Sequence, residues 1–210
     1  MKLKKNIRIL LIAIAVAGAA TGFIVNQMQL KAQAHWKATQ EHMAKEVLRF
    51  HVLANSDSKK DQALKMKVKE AVLNFMSSQL PTEASLEETK KWVHQNQNEI
   101  KKIGRDIIKK EGYQYSIHSE VSTCYFPDKT YGDVTFPAGK YQALRIEIGD
   151  AKGKNWWCVL YPNLCFIDAT NAVVPEAGKA ELKAVLNSEE YDMVTATSNF
   201  KIKWFFLGES

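Results

Sequence analysis

Between Leu48 and Phe75 the hydrophobic period of this chain changes from two to about 3.6 across four small polar residues, and that change constrains the fold more than any other feature. Leu48, Phe50, Val52 and Ala54 alternate with Arg49, His51 and Leu53, which is the pattern of a strand with one face in a core. Asn55, Ser56, Asp57 and Ser58 then stop the strand, because their short side chains compete for nearby backbone amides and favour turns and helix starts. Ser58 is the expected N-cap, answered three residues on by Asp61, whose charge suits the positive end of the helix dipole. Leu64, Val68, Ala71, Val72 and Phe75 recur at helical spacing with Lys65, Lys67, Lys69 and Glu70 opposite, so an amphipathic helix follows.

The remainder repeats this logic. Gln79 to Thr82 break the chain, and Ser85 with Glu88 forms an S-x-x-E capping box that opens a second long helix. Leu86, Val93, Ile100 and Ile107 recur every seven residues, widened by Ile103 and Ile108, and Gly112 ends the helix as a C′ glycine. From Tyr113 the pattern alternates, giving strands over about 115–126 and 141–149, with a turn at Gly149-Asp150-Ala151-Lys152-Gly153. The two glycines of that turn lack the G-x-G-x-x-G spacing and no helix follows, which argues against phosphate binding. Lys179 to Leu186 reads as a shorter helix, Glu189 to Val194 as another helical piece, and Phe200, Ile202, Trp204 and Phe206 as a closing strand. The expected fold is therefore α+β: one domain with a mixed sheet of about five strands, two long amphipathic helices and a shorter C-terminal helix.

The stretch Asn155-Trp156-Trp157-Cys158 raises a specific question. Adjacent strand residues point to opposite faces, so Trp156 and Trp157 cannot share one core. Either both faces of the sheet are covered, or one tryptophan is an anchor offered to a partner. Cys158 and Cys165 flank a Tyr-Pro-Asn turn that can fold them back on each other, so a Cys158–Cys165 disulfide is the expectation and two buried free thiols the alternative, with Cys124 the odd one out.

Charge is distributed unevenly along the chain. Lys2, Lys4, Lys5, Arg8 and Lys31 supply five of the six net positive charges, with no acidic residue before Glu41, so residues 35–210 carry only +1. A nearly neutral body removes the main support for nucleic-acid binding. Four basic residues precede Ile9 to Val25, 17 residues without a charge, which reads as an export signal or a membrane anchor. Ala32-Gln33-Ala34 offers a small-x-small cleavage site, leaving cleavage and retention both open. The positive-inside bias keeps residues 1–8 cytoplasmic and sends the body across the membrane. The expected organisation is a signal or anchor over 1–34, a polar and helical linker over 35–46, and a globular domain over 47–210. A chain of 210 residues with 46% hydrophobic content suffices for one such core.

Recognisable catalytic chemistry is sparse. Ser56-Asp57-Ser58-Lys59 fits the S-x-x-K pattern of serine acyl-transferases, but so does Ser198-Asn199-Phe200-Lys201, and the pattern is short enough to arise by chance. A Ser56 activated by His51 or His118 defines the alternative reading, an extracytoplasmic serine-dependent hydrolase or acyl-transferase. His35 and His42 lie seven apart without a thiol nearby and make too small a ligand set, so no metal is expected, and no cofactor is expected either.

Two long stretches carry a family resemblance. FHVLANSDSKKDQALKMKVKEAVL resembles the signature of the stage II sporulation protein R family, and YFPDKTYGDVTFPAGKYQALRIEIGDAKGKNWWCVLYPNLCFID is similar to that family's second block. The chain departs from the family's wording at Arg49-Phe50-His51. The resemblance implies an intercompartmental signal of endospore formation rather than an enzyme. Such a protein is exported across the forespore membrane into the intermembrane space, where it activates a membrane-embedded aspartic protease that processes the precursor of sigma factor E. On that reading Asn55, Ser56 and Asp57 of the elbow, together with Asn155, Trp156 and Trp157, are the expected partner contacts.

Overall fold

In this computed structural model the described residues are 2–81, 83–165 and 174–195, with side chains described from residue 6. The chain divides into two compact units, Met1–Gln40 and Glu41–Ser210. The first consists of helix α1 (Lys2–Glu46) up to Gln40. Among the described residues its apolar side chains Ile9, Leu11, Ile14 and Phe23 are exposed. Its most apolar 18-residue window has a mean hydropathy of 2.3 and is 0% buried, so by length and composition α1 is able to cross a membrane.

The second unit contains β1 (Leu48–Leu53), α2 (Lys59–Gln79), α3 (Leu86–Lys110), β2 (Ile117–Phe126), β3 (Lys129–Tyr131), β4 (Val134–Phe136), β5 (Gly139–Ile148), β6 (Asn155–Tyr161), α4 (Glu176–Val185) and α5 (Ser188–Thr195). The main sheet has the order β2-β5-β1-β6, and β3 and β4 form a separate hairpin. Strand β1 runs parallel to β5 and antiparallel to β6, placing Leu53 beside Glu147 on one side and Asn155 on the other. The sheet is thus mixed, as expected, with four strands among the described residues. The fifth, expected over 200–206, lies outside them.

Both faces of the sheet are covered, and this corrects the one-sided reading of β1. Helices α2 and α3 close one face over Phe50, Val52, Leu144 and Ile146, contributing Leu64, Val68, Val72, Val93, Ile100 and Ile108. Phe126, Phe136, Tyr141, Val159, Leu182 and Val194 form a second core against the other face, joined by Met43 and Val47. Each fully buried Phe, Leu or Val in these cores contributes roughly 1.5–3 kcal/mol from its removal from water. All six residues of β1 are buried, including Arg49 and His51. Burial of the polar positions follows from the location of β1 between two other strands, under cover on both sides.

The helix ends agree with the sequence. The Ser58 hydroxyl accepts the Asp61 N–H at 3.1 Å, and the Ser85–Glu88 capping box is complete. Helix α3 ends at Lys110, before Gly112. The segment read as a polar linker is helical to Glu46, and its last turns belong to the second unit: Met43 and Ala44 are buried, and His42 Nδ1 meets the fully buried carboxylate of Glu190. Glu190 in turn accepts the Asn187 N–H at 3.0 Å while Asn187 Oδ1 accepts the Glu190 N–H, a reciprocal cap on α5.

Candidate functional site

The elbow after β1 and the turn after β5 form one joint. Asn55 Oδ1 accepts the Asp150 N–H at 2.9 Å, and Asp57 Oδ1 accepts the Lys154 N–H at 2.6 Å. Backbone bonds reinforce these, with Gly153 N–H donating to Ala54 O at 2.9 Å and Lys152 N–H to Asn55 O at 3.2 Å. Two glycines permit the approach. A Cβ on Gly149, which has φ +58°, would run into the Asn55 side chain, and one on Gly153 would strike the Ser56 carbonyl.

Asp61 organises the inner side of the joint. The cap reading anticipated its amide bonding Ser58, but its carboxylate reaches back beyond the cap, where Oδ2 accepts Asn55 Nδ2 at 2.9 Å and the Ser56 hydroxyl. Burial alone would raise the Asp61 carboxyl. Hydrogen bonds from Ser56, Asn55, Tyr115 and Ser58 outweigh that and hold it below the usual carboxylate value. Lys65, expected on the solvent face, is buried; its ammonium donates to Gln62 Oε1 at 2.6 Å and to Lys154 O at 2.8 Å. Burial lowers its pKa, partly opposed by Asp57.

The structure therefore brings the two predicted contact stretches together. Lys154, whose amide is held by Asp57, immediately precedes Asn155 at the start of β6, and Asn155 pairs with Leu53 at the end of β1. Trp156 and Trp157 go to opposite faces and are each partly buried. Trp156 lies edge-on to Phe50 at 5.6 Å with Lys69 Nζ 5.1 Å from its ring, while Trp157 stacks on His51 at 4.8 Å and meets Phe126 at 4.6 Å.

Behind Trp157 lies a cluster that the alternation pattern did not disclose. The Arg49 guanidinium is fully buried among Phe126 at 4.4 Å, Tyr141 at 4.9 Å and Phe136 at 5.1 Å. It donates to Cys158 O and to the Tyr131 hydroxyl, both at 3.1 Å, and Nη1 has no hydrogen-bond partner among the described residues. His51 Nε2 lies 3.4 Å from Cys124 Sγ. Burial, reinforced by the charges of Arg145 and Arg49, lowers the His51 pKa to about 4, so this imidazole is neutral near pH 7.

These positions bear on the serine-hydrolase alternative. Ser56 Oγ donates to Asp61, whereas His51 bonds Cys124 on the face occupied by Trp157. The two are not assembled as nucleophile and base. Among the described residues no group of three or more His, Cys, Asp or Glu is arranged to hold a metal ion. Cys124, Cys158 and Cys165 are free thiols, and the bridge expected between Cys158 and Cys165 is not closed in this structure.

Comparison with known proteins adds what geometry alone does not. Residues 44–171 match the family described as stage II sporulation protein R, a span that includes both halves of the joint and all of β6. The chain belongs to the stage II sporulation protein R family. The stage II sporulation protein R of Bacillus subtilis (strain 168) is 34% identical over 178 residues, covering 76% of this chain and 80% of the relative. No solved structure matches. Family membership gives the chain a role in sporulation, and its apolar α1 is compatible with a signal anchor or membrane location.

Proposed function

We propose that this protein is an exported signal of endospore formation, anchored or released on the far side of the forespore membrane. There it activates a membrane-embedded aspartic protease that processes the sigma factor E precursor. The observation that carries the reading is family membership over residues 44–171 in a chain whose N-terminal helix is apolar and uncovered. Activation proceeds by docking: a ligand shifts the equilibrium of its partner only through a difference in affinity between two states, and binding better to the active or dimeric protease supplies that difference. The contact surface is the end of the sheet where Asn55, Ser56 and Asp57 meet Asn155, Trp156 and Trp157. Asn55, Ser56 and Asp57 act by shaping this end, since their side chains are occupied within the joint, while the outer edge of Trp156 faces the partner.

The test is reconstitution of the full chain with the protease and its precursor substrate in one membrane. A Trp156→Ala protein that retains the parent's circular dichroism spectrum should lose both protease binding and precursor cleavage. Full activation by this variant removes Trp156 from the contact surface. Binding retained with cleavage lost would favour a chemical role over docking.

A further inference from the structure

We propose that Cys158 and Cys165 are the two ends of an intramolecular disulfide, with Cys124 remaining a free thiol. Strand β6 carries Cys158 into the buried layer, and the chain reverses immediately after Tyr161, where Leu164 N–H donates to Pro162 O at 2.8 Å and to Val159 O at 3.2 Å. That reversal returns Cys165 to the strand it left. Cys165 Sγ lies 3.0 Å and Cys158 Sγ 3.7 Å from the same Val159 carbonyl oxygen, and the two thiols are within hydrogen-bond reach of each other. Closing the bridge replaces two weak sulfur contacts with one covalent bond across a separation of seven residues.

The third thiol does not compete. Cys124 lies on β2, at the opposite edge of the sheet from β6, where it is engaged with His51. Access also orders the chemistry, because Cys158 is buried and Cys165 is partly exposed. The Cys165 thiolate attacks an external disulfide, forming a mixed disulfide and releasing one external thiol. The Cys158 thiolate then displaces the second external thiol. Two protons leave the pair, and its two electrons reduce the external disulfide to two thiols. Burial raises the Cys165 pKa, the Cys158 thiol raises it further, and the charges of Arg49 and Lys69 oppose, so closure of the folded dithiol accelerates with rising pH. The bridge would pin the turn Tyr161–Asn163, one wall of a cavity of about 540 Å³ bounded also by Met76, Leu80 and Glu181.

The proposal rests on the export reading for its oxidant, a disulfide-bearing oxidoreductase or small disulfide outside the cytoplasm. The test uses the full chain in detergent micelles, equilibrated with oxidised glutathione, quenched in acid and alkylated before peptide mass mapping. The expected result is a linked Cys158–Cys165 peptide two hydrogens lighter than the dithiol, with Cys124 alkylated before any reductant is added. Cys158→Ser and Cys165→Ser chains should each leave the remaining partner alkylated. Both thiols alkylated in the parent, or either of them linked to Cys124, overturns the proposal. The same mapping on chain taken from sporulating cells separates the two claims. A bridge there supports both, whereas free thiols in cells from a chain that bridges in glutathione leave the bridge standing and count against export.

Discussion

Replacing Asp61 tests whether the joint is held by the carboxylate or only by the shape of the elbow. Asp61 is 4% exposed, and its carboxylate accepts from Asn55, Ser56 and Tyr115. A hydrogen bond to a charged group contributes about 1.5–3 kcal/mol, and Asn55 and Ser56 are half-buried, so part of each donor's loss is recovered from water. Asp61→Ala is therefore expected to cost about 3–4 kcal/mol. Asp61→Asn keeps one acceptor oxygen and the volume, and should cost about 1–2 kcal/mol by the same reasoning. Urea unfolding of the full chain in mild detergent, followed by tryptophan fluorescence at pH 7, measures both. The pH dependence has a defined sign: because the folded carboxyl is held below its usual 3.8, its contribution is present above that value and is lost as pH falls through the depressed one. The Asp61→Asn chain should lack that loss. An Asp61→Ala chain within about 1 kcal/mol of the parent, at unchanged slope against urea, would refute the assignment, since even one charged hydrogen bond exceeds that.

Two further outcomes follow from the same contacts. His51 titrates near 6.5 when unfolded and at about 4 when folded, so the unfolded chain takes up its proton first and stability falls as pH drops from about 6.5 to about 4, by roughly 3 kcal/mol; a His51→Phe chain with the same slope in that window would disprove the buried neutral imidazole. Gly153→Ala drives a methyl into the Ser56 backbone carbonyl and should destabilise by about 1–3 kcal/mol; urea unfolding indistinguishable from the parent would show that the loop does not press on the elbow.

Legibility in the sequence was greatest where a local rule acts alone. Ser58 and the Ser85–Glu88 box marked helix starts because a cap is settled within four residues, and the period change at Asn55 marked the elbow for the same reason. What alternation does not contain is the neighbour of a strand: nothing in Leu48–Leu53 distinguishes a parallel β5 on one side from an antiparallel β6 on the other. Charged side chains were the second source of error. Arg49 and Lys65 read as solvent-facing, yet one is enclosed by aromatic rings and the other spends its ammonium on Gln62 and Lys154. Adjacent tryptophans were the signal that could have shown β1 to be covered twice, since Trp156 and Trp157 each require an apolar layer on their own side.

The joint also gives physical content to the resemblance that first marked this chain. The block around Asn55–Asp57 and the block around Gly149–Trp157 are far apart in sequence, yet each supplies half of one set of hydrogen bonds, and Asp150 is held by Asn55 as Lys154 is held by Asp57. A loss of signalling after a change at Asn55, Ser56, Asp57 or Gly149 thus reports first on the architecture of this end of the sheet. The proposed docking is tested only by side chains whose removal leaves those bonds intact. Trp156 meets that condition: its ring contacts run to Phe50 and Lys69, so truncating it strips the presented surface while the elbow, the loop and the pairing of Leu53 with Asn155 retain their backbone geometry.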